Sequence, residues 1–432
     1  MILVRPSFGT ALIQAKEVTE VDYNSVFYLS LIVAGFFYGV LFVTAPWIAL
    51  FYQEPSLIPV LRLLSLSLII GALTSIQNAI LTREMQFKLS FRVSMITMAA
   101  SGVVGISMAY AGYGVWALVG SALAGQVART MALWWLVSWR PQLIYSHASI
   151  RRVFGFSSKL LASGLLDTLF NNLYNIIIGK LFNPTILGYY SRGQSIPNMV
   201  MSSVQGTIGS VIFPAMSSCQ HDTAQMKKIT RRVITSSCFL VFPMMFGLAA
   251  VAKPLVQVLL TDKWLPCVPY LQFSCIAFAF WPLHVANLQA ITAVGRSDVF
   301  LTVEVIKKAL VVAVILVTFK FGVMAMVIGQ TACSLVSVAI NAWPNRRLID
   351  YQLALQARDI LPALLLAVGM GGVVFALNLV IPSSYALLAA QCVLGVAFYL
   401  GVAALLRFES LAYGWQTLRP YVNSFSRFSG FR

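Results

Sequence analysis

Apolar residues run through this chain in long stretches, and the polar and charged positions gather in the short gaps between them. Twelve stretches reach or approach the roughly 20 residues that a helix needs to cross a bilayer. They cover 25–52, 57–81, 91–111, 114–138, 153–179, 186–216, 233–251, 265–294, 299–319, 322–343, 360–381 and 385–406. The strands of a membrane barrel would alternate polar and apolar residues, and these stretches do not. The pattern predicts an all-α polytopic membrane protein of about twelve transmembrane helices.

Composition supports this picture. The chain is 59% hydrophobic and 10% charged, whereas a soluble domain is about a quarter charged. Its mean hydropathy is +0.83. A net charge of +17 would point to nucleic acid in a soluble protein, but here the basic residues occupy the gaps between apolar runs, so no nucleic-acid partner is expected. With the N-terminus inside, 22 of the 30 Lys and Arg fall in cytoplasmic connections. Only Lys180, Lys253, Lys263 and Lys320 fall on the other side, and Arg62, Arg129, Lys159 and Arg192 lie within spans. The charge is therefore a topology signal, and both termini are expected in the cytoplasm. The first 24 residues lack an apolar core of signal-peptide length. Three histidines and six scattered cysteines show no metal-ligand or redox spacing, so no cofactor is expected. His284 reads as a packed, hydrogen-bonded imidazole.

Internal similarity adds organisation. The stretch 59–65 lies about 210 residues before its counterpart 269–275, and 113–117 precedes 321–325 by a similar offset. This offset maps the first four spans onto the seventh to tenth with the same in-out sense, as a parallel repeat requires. The fifth and sixth spans then lack partners upstream of Met1. Either the fold is asymmetric or the chain starts late, and the second is the expectation. The predicted plan is an incomplete N-terminal lobe of four helices (1–142), a six-helix lobe (143–343), and an extra helix pair with a cytoplasmic tail (344–432).

Polar residues inside the spans mark candidate chemistry, because a charge at mid-depth costs about 2.5 to 3.5 kcal/mol on insertion scales. In the fifth span Lys159, Ser163, Asp167, Asn171 and Tyr174 share an arc of roughly 120°. In the sixth, Ser191, Ser195, Asn198, Ser202 and Gln205 share about 80°, with Arg192 and Gln194 at its flanks. Such stripes serve either as glue between helices or as the lining of a hydrated cavity. The accompanying charges favour the cavity. Arg129 is too deep to snorkel easily and is a cavity candidate. Lys159 and Arg62 lie near span ends, where snorkelling explains them. Asp167, the one acid deep in a span, is either a coupling site or half of an ion pair.

Several short runs invite a family comparison. They are Gly9, Thr10, Ala11, Leu12, Ile13 and Gln14; Leu64 to Ile70 with Gln77, Arg83, Met85 and Phe87; Trp139, Arg140 and Pro141; Ser158, Lys159, Leu160 and Leu161 with Leu166 and Asp167; Leu187 to Arg192; and Gly295, Arg296, Ser297 and Asp298. In this order and spacing the chain resembles the polysaccharide transporter (Wzx-like) branch of the multidrug/oligosaccharidyl-lipid/polysaccharide flippases. That resemblance implies two six-helix lobes around a central cavity plus a final pair, with this chain two N-terminal helices short. It implies an oligosaccharide on undecaprenyl diphosphate as substrate, moved from the cytoplasmic to the periplasmic leaflet of a bacterial inner membrane. A polysaccharide polymerase and export machinery would be partners, and a proton or sodium gradient would drive the step through Asp167. Arg129, Arg192, Lys159 and Arg62 would meet the diphosphate, and Asn171, Asn198 and Gln205 the sugar.

Other functions fit less well. A drug or cation exporter of the same superfamily would favour acidic cavity residues, and the deep charges here are mostly basic. A membrane-embedded polymerase needs a sizeable outward loop, and the largest outward connection, 252–264, is far too small. An inactive remnant is the third alternative.

Overall fold

The computed structural model describes residues 19–144, 146, 164–217, 219, 222–380, 385–408 and 411, with the side chains at 205–215, 217, 379 and 380 left aside. Among the described residues the structure is helical and contains no strand. Contacts divide the chain into two compact units, Met1–Ile176 and Ile177–Arg432.

The first unit opens on α1 (Glu20–Tyr52). Thr19 starts it with a reciprocal cap: its side chain accepts from the Asp22 amide, and the Asp22 carboxylate accepts from the Thr19 amide at 3.0 Å. A hairpin then leads to α2 (Leu57–Ala72) and α3 (Ser75–Arg83). The sequence treats 57–81 as one span, but the helix bends by 47° between α2 and α3. Hydroxyls at the bend turn back onto their own backbone, Thr74 Oγ1 to Gly71 O at 3.0 Å and Ser75 Oγ to Ala72 O at 2.8 Å. Such local bonds compete with the helical ladder and bend it. Next come α4 (Phe87–Tyr110) and α5 (Val115–Leu136), which pack closely on each other, and a helical stretch at 164–171. A sixth helix, α6 (Leu173–Leu181), carries the boundary between the units. The expected lobe boundary at 142/143 falls inside the first unit. There the chain is tied back to α1, with Gln142 N donating to Asn24 Oδ1 at 2.6 Å and Ser146 N to Ser25 Oγ at 3.2 Å.

The second unit comprises α7 (Pro184–Ser217), α8 (Thr223–Ala250), α9 (Ala252–Leu260), a 3-10 turn (Asp262–Cys267), α10 (Val268–Ala279) and α11 (Trp281–Ala293). It continues through α12 (Ser297–Thr318), a short turn (Phe319–Phe321), α13 (Val323–Ala342), α14 (Asn345–Leu348), α15 (Leu353–Val380) and α16 (Tyr385–Leu405). Helix α8 is central: it packs on α10, α11 and α15, and its Ile234, Cys238, Phe242 and Met245 are buried. Charges fix its polar end to the start of α15. Lys227 meets Asp350 at 2.7 Å, while Asp359 takes Arg231 at 2.9 Å and the Tyr351 hydroxyl at 2.7 Å.

Element order repeats between the units. The broken pair α2/α3, then α4, then Gly114 (φ 54) before α5, is matched by α10/α11, then α12, then Gly322 (φ 92) before α13. Both glycines sit at a positive φ that a side chain disfavours. Among the described residues, seven helices are long and apolar enough to cross a membrane, or eight counting the bent pair. The long helices α5, α7 and α12 occupy three further expected spans. Large apolar side chains such as Phe36, Trp47, Trp135 and Leu405 are exposed, as expected where the surroundings are lipid.

Candidate functional site

The sequence candidates fall into two groups, one in each unit. In the first unit several polar residues of α1, α3 and α5, with Thr74 just before α3, lie inside the helix pack. Asn24, Ser25, Ser30, Thr74, Gln77 and Gln126 are all buried. Half-buried Arg129, on α5, donates through Nη2 to Asn78 Oδ1 on α3 at 2.6 Å. The bend between α2 and α3 is held from the same side: Trp134 Nε1 donates to Leu73 O at 3.0 Å and Thr130 Oγ1 to Ile70 O at 3.4 Å. Gln77 is fully buried, and neither end of its amide has a hydrogen-bond partner among the described residues. Arg129 therefore belongs to a buried polar seam beside a helix break. Asn78 and Gln126 are members that the sequence reading did not single out, and Gln77 entered it only as part of a family motif, not as a site residue. Their signal was there, because Gln77 and Asn78 interrupt an apolar run directly after the Thr74–Ser75 bend.

Arg62 has a different role. Proline at 46 removes the amide that would take the Phe42 carbonyl four residues earlier in α1. Arg62, one helix away, donates its Nε to that carbonyl at 3.4 Å and sets its guanidinium 4.1 Å from the Phe42 ring centroid. This repairs a broken rung in the helix ladder and stacks a cation on an aromatic face.

On the fifth-span stripe, Asp167 and Asn171 are exposed on 164–171 and Tyr174 is buried. Lys159 and Ser163 lie outside the described residues, and so does the side chain of Gln205.

In the second unit, α7 presents Ser191, Arg192, Ser195, Asn198 and Ser202 as one exposed face. Ser195 and Ser202 return their hydroxyls to their own helix, to Arg192 O and Met199 O, both at 2.9 Å. The Arg192 guanidinium lies 6.0 Å from the Trp264 ring centroid, and Tyr189 meets that indole edge-on at 5.9 Å. The opposite face of α7 is pressed onto α10. A Cβ at Gly193 would come within 2.7 Å of Tyr270 Cβ and 2.9 Å of Leu271 N. Behind the stripe, Tyr190 and Gln194 share Gln330 Oε1, at 3.0 and 3.2 Å, and Gln194 donates to the Tyr190 hydroxyl at 2.7 Å. His284 is hydrogen-bonded as expected, with Nδ1 3.0 Å from Asn341 Nδ2. Nearby, Asn287 and Gln356 exchange reciprocal amide bonds of 2.9 Å, and Asn345 donates to Asn287 Oδ1 at 2.7 Å. This amide knot joins α11, α14 and α15 and is structural. Among the described residues no cluster of His, Cys, Asp or Glu could hold a metal ion.

Residues 1–269, well over half of the chain, match the family described as polysaccharide biosynthesis protein. The chain belongs to that family. This polysaccharide biosynthesis protein is 23% identical over 383 residues to the teichuronic acid biosynthesis protein TuaB of Bacillus subtilis, covering 88% of this chain and 79% of the relative. It is 23% identical over 342 residues to the lipopolysaccharide biosynthesis protein WzxC of Escherichia coli, covering 77% and 68%. With the succinoglycan biosynthesis transport protein ExoT of Rhizobium meliloti the identity is 27% over 263 residues, covering 60% and 52%. In fold it is similar to the lipid II flippase MurJ in an inward closed conformation, with a TM-score of 0.71 at 12% identity over 98% of this chain and 90% of that one. The Vibrio cholerae MATE transporter VcmN in its bent form is more distant, with a TM-score of 0.53 at 14% identity over 83% and 86%. The chain is thus a membrane protein with a flippase fold in a family that builds polysaccharides.

Proposed function

We propose that this protein flips an oligosaccharide linked to undecaprenyl diphosphate from the cytoplasmic to the periplasmic leaflet of a bacterial inner membrane, by alternating access. The observation that carries the proposal is the exposed face of α7, where a guanidinium stands among hydroxyl and amide groups on a helix that occupies one of the expected spans. A diphosphate cannot cross hydrocarbon bare, and Arg192 supplies the planar, permanently charged donor that phosphate oxygens accept. Asn198, Asn171 and Gln205 offer amides to sugar hydroxyls, and Arg129, Arg62 and Lys159 add positive potential. Asp167 is the proposed coupling carboxylate. Relatives named for lipopolysaccharide and succinoglycan biosynthesis support a glycan as cargo.

The test is flipping of a fluorescent undecaprenyl-diphosphate oligosaccharide by the full chain in proteoliposomes. Arg192→Ala should slow flipping about tenfold or more, the loss of one charge-assisted hydrogen bond, with normal membrane insertion. Asp167→Asn should remove the response to an imposed proton or sodium gradient. Unchanged flipping in Arg192→Ala would remove that residue from the site, and a wild-type chain that moves no lipid-linked sugar would overturn the function.

A further inference from the structure

A second candidate site lies in the second unit, between α12 and α13. These helices are joined by the short turn Phe319–Phe321 and touch tightly at that end, where a Cβ on Gly329 would come within 2.8 Å of Val314 Cγ1 and 3.0 Å of Thr318 Cγ2. Toward their other ends they diverge and enclose a groove of about 710 Å³. Its walls are mostly apolar, from Val299, Val303, Ile306, Val336, Ala339 and Ile340, with Thr302 the one hydroxyl among them. Its open end is polar, with Arg296, Asp298 and Arg347 in the lining beside Trp343, which is 78% exposed.

The two arginines are not equivalent. Arg296 is committed to Asp298, with Nε and Nη2 donating to its two carboxylate oxygens at 2.9 and 2.8 Å. The Arg347 side chain is exposed and has no hydrogen-bond or ion-pair partner among the described residues. The groove mouth therefore carries one net positive charge, with Arg346 adjacent. From Arg296 to Ile306 the helix rises about 15 Å, half of the roughly 30 Å hydrocarbon core. A cationic mouth, an interfacial tryptophan and an apolar slot one leaflet deep complement an anionic phospholipid.

We propose that this groove binds a phosphatidylglycerol molecule from the leaflet at its basic end. The phosphodiester takes the Arg347 fork, and one acyl chain lies along the slot between Val303 and Val336. A zwitterionic headgroup brings no net charge to this mouth, whereas phosphatidylglycerol brings one negative charge to its one net positive charge. This inference is independent of the transported cargo, so its test needs no flipping assay.

Native mass spectrometry of the full chain in detergent, titrated with phosphatidylglycerol, should show one molecule retained at lower concentration than phosphatidylethanolamine. Arg347→Ala should weaken retention about tenfold, the loss of one charge-assisted hydrogen bond. Val336→Trp, which fills the slot and keeps the charge, should weaken it similarly. Lys320→Ala, at the closed end of the same helix pair, should leave it unchanged. Equal retention by wild type and Arg347→Ala, or a preference for phosphatidylethanolamine or cardiolipin, would overturn the proposal.

Discussion

Arg62 illustrates what a single charged residue in a membrane helix can be for. Its place near a span end is compatible with snorkelling, yet its Nε reaches the one carbonyl that Pro46 leaves without a donor. An unsatisfied carbonyl in an apolar medium costs about 1 to 3 kcal/mol, and the Phe42 ring adds about 0.5 to 1 kcal/mol at a partly exposed site. Arg62→Ala should therefore lower stability by about 1 to 3 kcal/mol, read from unfolding in detergent. Pro46→Ala in the same chain should recover much of that loss, because the helix then supplies its own donor. Additive effects in this double-mutant cycle would show that the carbonyl is not the link. Sequence alone places Arg62 and Pro46 in neighbouring spans, but the bond between them depends on the hairpin register of α1 and α2. Arg129 is a comparable case. Its depth was legible, and its partner Asn78, 51 positions away, was not.

At the scale of elements, small residues decide which helix faces meet. Gly193 turns one side of α7 onto α10, leaving the polar stripe with Arg192 on the exposed side. Gly193→Ala would drive a methyl into the Tyr270 side chain and the Leu271 backbone, and should cost about 1 to 3 kcal/mol. Gly188→Ala, five residues earlier with nothing within 4 Å of the added Cβ, should be close to neutral. Thermal shift of both variants in one detergent checks the contrast; similar shifts would mean that the α7–α10 contact is slack. The ion pairs at the polar helix ends have a pH signature. Hydrogen bonds from Arg296 hold the Asp298 carboxyl down at about 2, and Lys227 holds Asp350 below the ordinary carboxylate value. A carboxyl lowered by folding contributes above its unfolded pKa, near 3.9, and is lost only as pH falls through the lowered value. Lipid retention by the groove should therefore be flat between pH 5 and 8, and a decline from pH 7 to 5 in the same mass-spectrometric titration would contradict this charge assignment.

At the scale of the whole molecule, the chain builds two helical units by repeating one element order, α2 to α5 and α10 to α13, with a glycine at positive φ before the last helix each time. The repeat was visible as weak similarity at an offset of about 210 residues. What it did not reveal is that the segment after α5 returns to α1 through Asn24 and Ser25. Over 98% of its length the chain follows the fold of a flippase with which it shares 12% identity. Such retention at low identity is expected when bilayer thickness and the need to satisfy every backbone group, more than particular side chains, dictate the architecture.

Those constraints also divide what each level of description could decide. The sequence by itself determined the class of protein, the places where helices run and the family, because span length and the avoidance of charge in hydrocarbon are local requirements written residue by residue. The tertiary structure decided which polar side chains lie in a buried seam, which one mends a proline-broken ladder, and where two helices part to leave a slot with an exposed arginine at its mouth. These are long-range pairings, set by helix register and by close approach at Gly193 and Gly329, and periodicity along one helix carries no information about the helix that will pack against it.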